Sequence, residues 1–138
     1  MTEANKAAVL RFYGEMSKGN VGIIDEMVAD DFVEHDEFPG LTPNKDGVRQ
    51  FFQAMRAAFP DLEMIAEDMV AEDDKVFVRA RMRGTQRGEF IGIPATGRQI
   101  DVPMGDFVRF KDGKVVEHWG ATDTGMMMQQ LGVSEAPA

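Results

Sequence analysis

Apolar residues recur with a helical period through the first third of the chain. Val9, Phe12, Tyr13 and Met16 stand at i, i+3, i+4 and i+7 and predict the buried face of a first helix. Gly19 is placed to end it and Asn20 to cap a short second helix with Ile24, Met27 and Val28 inward. "DDFVEHDEF" reads as a short extended piece crowded with carboxylates, and "PGLTPN" as a turn. Pro43 suits a first helical turn. Val48, Phe51, Phe52, Met55 and Phe59 then mark a third amphipathic helix, which Pro60 stops.

After Pro60 the period falls to two. Leu62, Met64, Ala66, Asp68 and Val70 alternate with Glu63, Ile65 and Glu67. Beyond the turn "EDDK", Val76, Val78, Ala80 and Met82 alternate with Phe77, Arg79, Arg81 and Arg83. "GIPATG" is a loop. Two further strands, about 98–110 and 114–122, meet at "KDGK", and a last helix runs from about Thr124 to Leu131 with Asp123 at its N-cap. Three helices followed by an antiparallel meander is an α+β pattern. It predicts one domain over 1–138, a core over 5–132 and a loose tail over 133–138. Helices folded over one face of a curved antiparallel sheet enclose a cone-shaped cavity, a natural seat for a small ligand.

Composition narrows what that ligand can be. The chain has 138 residues and a formal net charge of −9, which speaks against nucleic acid and against anionic membranes as partners. It has no Cys, which rules out disulfides, thiolate zinc sites and Cys nucleophiles. Ten Phe and eleven Met suit an adaptable apolar interior. The polar start "MTEANKAAVL" shows no signal peptide and no apolar run is long enough to span a bilayer, so a soluble cytoplasmic protein is expected.

The candidate chemistry centres on "KDGKVVEHWGATD", which holds His118 and Trp119, the chain's only tryptophan. A two-residue loop at Asp112-Gly113 pairs 110 with 115. A three-residue loop pairs 110 with 114 and turns every side chain to the other face. The three-residue register sorts residues better. Val102, Met104, Asp106, Val108 and Phe110 then share a face with Val116, His118, Gly120 and Thr122, and Asp106 and His118 become direct cross-strand neighbours. A carboxylate beside an imidazole orients the ring and raises its pKa, which suits a general base.

Other residues carry competing readings. His35, among Glu34, Asp36 and Glu37, is a pocket-rim group or part of a solvated acidic strand end. His35, Asp36 and His118 lack the spacing of a metal site. Asp123 is more simply an N-cap than an acid. Trp119 walls a pocket or an outer-face interface. Tyr13 sits at the core edge or aims its hydroxyl inward. Met104 and Phe52 are expected in the apolar walls. Arg79, Arg81 and Arg83 form an outer stripe suited to Glu63 and Glu67 or to a subunit contact.

"MRAAFPDL", "GTQRGEFIGIPATGRQI" and "FVRFKDGKVVEHWGATD" resemble the SnoaL-like polyketide cyclase family, part of the wider group resembling nuclear transport factor 2, over roughly 5–132. The resemblance implies the α+β cone and homodimers or larger homo-oligomers joined through outer sheet faces. It also implies cofactor-free chemistry, with neither metal nor organic cofactor. The family closes rings by intramolecular aldol condensation, with an aspartate that takes the proton and a histidine that stabilises the enolate. Aligned on "DGK" and the following histidine, that aspartate falls at Gly120, the histidine at Asp106 and a pocket asparagine near Glu34. The family's own acid–base set is therefore absent. The expected replacement is Asp106 orienting His118, His118 taking a proton, and His35 or Glu34 meeting the polar end of an apolar carbonyl compound. Cyclisation, isomerisation, dehydration and hydrolysis all fit. A non-catalytic binder of a small apolar ligand and a protein-interaction module are the alternatives, because one fold hosts many functions.

Overall fold

A computed structural model describes residues 2–133 except 37 and 39. Helix α1 (Thr2–Ser17) leads to α2 (Ile23–Met27), strand β1 (Val28–Glu34) and α3 (Lys45–Ala58). Strands β2 (Glu63–Glu72), β3 (Lys75–Thr85), β4 (Gln99–Lys111) and β5 (Lys114–Thr122) follow, and α4 (Thr124–Gln130) closes the described chain. The sheet order is β1-β5-β4-β3-β2. The sheet is curved and unclosed, with the N-terminal helices over its concave face.

The helices form where the apolar spacing predicts, and their ends are fixed by local chemistry. Val9, Tyr13 and Met16 are buried on α1, which packs on β2 and β3. Asn20 does not cap α2. Its amide instead donates to Glu15 Oε1 at 2.9 Å. Pro43 lies outside α3, whose cap is Asn44, with Oδ1 accepting from the Gly47 backbone N–H at 3.0 Å. A Cβ at Gly47 would lie 1.8 Å from the Thr42 carbonyl oxygen, so only glycine fits this entry. Arg56 on α3 donates to the Met16 carbonyl at 3.1 Å and the Leu62 carbonyl at 3.0 Å, which ties the end of α1 to the start of β2. Asp123 caps α4, accepting from the Met126 N–H at 2.9 Å.

The sheet departs from the predicted meander in four ways. The acidic extended piece is a strand in its own right. β1 pairs in parallel with β5, with Glu34 opposite His118, so the sheet is mixed rather than wholly antiparallel. Val28 belongs to β1, not to α2. A bulge between Ala66 and Asp68 shifts the parity of β2, so Met69 and Ala71 pack on the core while Val70 is 64% exposed.

The fourth departure decides the site. The β4–β5 hairpin has a two-residue loop, Asp112 at φ 52° and Gly113 at φ 78°, both left-handed as a primed turn requires. Phe110 pairs with Val115, as that loop dictates. Arg109 then pairs with Glu117, so Val116 is an extra residue and the parity reverses. From there on His118 shares the inner face with Asp106, as in the three-residue register. Its direct partner is Val108, however, and Gly120 is the one opposite Asp106.

Beyond the core, Val133 packs against buried apolar residues, and 134–138 of the expected tail lie outside the described residues. No helix among the described residues is long and apolar enough to cross a membrane.

Candidate active site

A cavity of about 520 Å³ lies between the concave sheet face and the helices. That volume is within the usual range for small-molecule sites. Its walls are rich in Phe and Met: Phe52 from α3, Phe32 from β1, Met64 and Met82 from β2 and β3, Met104 from β4 and Met127 from α4. The polar groups gather on one stretch of wall where β1, β5, β4 and α1 meet.

There the side chains form a connected chain. Tyr13 Oη donates to Asp106 Oδ2. His118 Nε2 lies 2.7 Å from Asp106 Oδ1, and His118 Nδ1 lies 2.6 Å from Glu34 Oε2. The sequence arranges this by strand position. Glu34 is directly opposite His118 across the parallel pair, while Asp106 reaches the ring diagonally past Gly120, which has no side chain to block it.

Both ring nitrogens face carboxylates, and only the doubly protonated imidazolium can donate to both. Burial alone would lower the His118 pKa. The hydrogen bonds to Asp106 and Glu34 outweigh it and raise the value to about 10. This surrounding favours the imidazolium, a form in which the ring gives a hydrogen rather than taking one. Burial, reinforced by the Asp106 charge, pushes the Tyr13 hydroxyl well above its ordinary pKa, so it stays a neutral donor.

Asp36 joins this wall from just beyond β1, and its own backbone N–H donates to Glu34 Oε2 at 3.0 Å. Burial and the neighbouring Glu34 charge raise its pKa, against the lowering effect of His118.

Of the residues singled out in the sequence, Tyr13, Glu34, Phe52, Met104, Asp106 and His118 line the cavity. Three do not. His35 and Trp119 lie together on the other side, with rings stacked at 4.6 Å and 7° and His35 Nε2 2.8 Å from Glu117 Oε2. Asp123 is occupied as the cap of α4. The reason for His35 is strand alternation: Phe32, Glu34 and Asp36 point in, so Val33 and His35 point out. The same alternation would have picked out Asp36, had the acidic piece been read with a period of two. Glu37 lies outside the described residues. Arg79 pairs with Glu67 as expected, but Arg81 and Arg83 both pair with Asp101. Among the described residues no three His, Asp or Glu side chains are grouped to hold a metal ion.

Solved structures share the fold. TsrD from Streptomyces laurentii is 25% identical, with a TM-score of 0.88 over 97% of this chain and 98% of its own. AclR from Streptomyces galilaeus, a proposed hydroxylase, is 27% identical, with a TM-score of 0.86 over 96% of this chain and 98% of its own. IdmH from Streptomyces antibioticus, a proposed polyketide cyclase, is 31% identical, with a TM-score of 0.82 over 94% of this chain and 99% of its own. No curated protein matches the chain. The family model described as SnoaL-like polyketide cyclase matches residues 7–131, and the chain belongs to that family.

Proposed function

We propose that this protein is an acid–base enzyme acting beside the carbonyl of an apolar small molecule, through cyclisation, isomerisation, dehydration or hydrolysis. One observation carries the reading: the chain Tyr13–Asp106–His118–Glu34 stands on one side of a largely apolar cavity. Apolar walls hold the substrate body and exclude water, which strengthens each charge on the polar side. A substrate oxygen entering there meets the Tyr13 hydroxyl, which can turn to it from Asp106, and the His118 Nε2–H, which can share its hydrogen between Asp106 and the substrate. Either stabilises the negative charge that develops when the neighbouring carbon loses a proton. His118 therefore serves as a donor, and Glu34 and Asp106 keep it charged and oriented. AclR and IdmH, two relatives with a proposed activity, are consistent with small-molecule chemistry in this fold.

The test uses 2-tetralone, an apolar cyclic ketone with exchangeable protons beside its carbonyl, in deuterated buffer followed by proton NMR. The wild-type protein is expected to speed exchange by about 10²-fold or more over buffer. Binding of the ketone with exchange at the buffer rate would leave a ligand-binding protein in place of an enzyme.

We also propose that copies associate through the outer sheet face, where Val33, Val70, Phe77 and Trp119 are exposed. Light scattering on the wild type and on Phe77→Glu checks this, the variant being expected to fall to a smaller species.

A further inference from the structure

Each carboxylate of the polar chain is already engaged through at least one oxygen. Asp106 accepts from Tyr13 on one oxygen and from His118 on the other. Glu34 Oε2 takes both the His118 ring and the Asp36 backbone N–H. Asp36 differs. It lines the same cavity, and among the described residues no donor reaches its carboxyl oxygens.

Its position is as telling as its freedom. A Cβ built on Gly120 would lie 2.9 Å from Asp36 Oδ2 and 2.8 Å from His118 Cε1. The carboxylate thus occupies the space that a side chain at 120 would fill, beside the His118 ring. Gly120 is not among the glycines with positive φ, so no turn geometry calls for it. The missing side chain is what admits Asp36. A carboxylate that is unpaired, partly desolvated and near another negative charge is more basic than one in water, which suits proton removal from carbon.

We propose that Asp36 is the catalytic base of this site, a role resting on the acid–base reading above. Its carboxylate takes a proton from the carbon next to the substrate carbonyl. The C–H electron pair becomes the enolate double bond, and the carbonyl pair moves onto oxygen, where the Tyr13 or His118 hydrogen meets it. Asp36 then returns the proton to carbon, at the same atom or at another. In deuterated water the acid formed on Asp36 exchanges before that return, so label enters the substrate.

The experiment compares Asp36→Asn, Asp36→Ala and the exposed control Asp31→Asn in the 2-tetralone assay, with ketone binding followed by NMR and folding by thermal melts. Asp36→Asn is expected to lose about 10²-fold or more of the exchange with binding and melting unchanged. Formate should restore part of the exchange in Asp36→Ala, and Asp31→Asn should match the wild type. Exchange in Asp36→Asn within about threefold of wild type would overturn the assignment and leave the proton-transfer reading standing. Loss of ketone binding together with exchange would also overturn it, since Asp36 would then hold substrate rather than take its proton. A wild type that binds the ketone without exchanging it would remove both.

Discussion

The two histidines of this protein sit side by side at the β1–β5 strand pair and meet the same kind of partner, yet their surroundings are opposite. His118 on β5 takes Glu34 of β1, and His35, just past β1, takes Glu117 of β5. The exchange is reciprocal across one parallel strand pair, one residue out of step. On the inner face the His118, Glu34 and Asp106 side chains are 21%, 16% and 16% exposed, and the ring is held by a carboxylate at each nitrogen. On the outer face His35 has one carboxylate and a tryptophan to lie on, with the solvent close by. The same residue types across one strand pair give a ring held between two carboxylates in the cavity wall on one side and a surface stack on the other. Sheet parity and burial make the difference, not composition.

The comparison breaks most visibly at His118. Removing the ring leaves Glu34 and Asp106 facing one another across a partly dry cavity with no cation between them. His118→Ala is expected to cost about 2–4 kcal/mol of stability, as when one partner of a buried pair is deleted. It should also lower 2-tetralone exchange by about 10²-fold or more. Urea unfolding and the NMR assay measure the two.

The pH dependence sharpens the same contrast. The folded His118 pKa of about 10 lies above the ordinary value of 6.5, so the folded state binds the proton more tightly than the unfolded chain. Its stabilisation is complete below pH 6.5 and is lost as pH rises toward 10. In that window the wild type should lose up to about 1.4 kcal/mol per pH unit relative to His118→Ala. Urea unfolding of both proteins at pH 7, 8 and 9 reads the difference; parallel curves would mean that the ring is neutral when folded.

Gly120→Ala has a smaller expected effect. The added methyl would stand 2.8 Å from His118 Cε1 and 2.9 Å from Asp36 Oδ2, closer than either can remain. Both are ends of side chains, so the site can shift, at about 1–3 kcal/mol. Thermal melts measure the cost, and exchange should fall because the ring and the carboxylate are pushed apart.

Much of this was legible in the sequence, and what was not shares one physical cause. Helices announce themselves through many residues per face, and α1, α3 and α4 lie close to where Val9–Met16, Val48–Phe59 and Thr124–Leu131 predict them. Strand faces depend on parity, which one extra residue reverses. Glu67 in β2 and Val116 in β5 are such residues, and neither bears a side chain that marks a bulge. The inward turn of His118 was reached through a loop the hairpin does not use. The two-residue turn and the Val116 bulge together restore the parity that a three-residue turn would have given. β1 was hidden differently. Its partner is β5, more than eighty residues on, and Asp30, Asp31, Glu34 and Asp36 obscure the alternation that points Glu34 and Asp36 inward.

The least effect is expected at His35, and its smallness is informative. His35→Ala removes the stack on Trp119 and one of the hydrogen bonds to Glu117. It strands nothing, because Glu117 keeps the Arg109 guanidinium at 2.5 Å, and Trp119 keeps its edge contact with Phe107 at 5.5 Å. The melting temperature should therefore move by no more than about 4 °C. Exchange of 2-tetralone should stay within about twofold of wild type, since His35 does not line the cavity. A large loss of exchange with normal folding would mean that the outer stack sets the position of Glu34 through the β1 backbone, where the His35 N–H donates to the His118 carbonyl at 2.9 Å. The two faces would then be one device, and His35 a positioning residue for the donor on the opposite side.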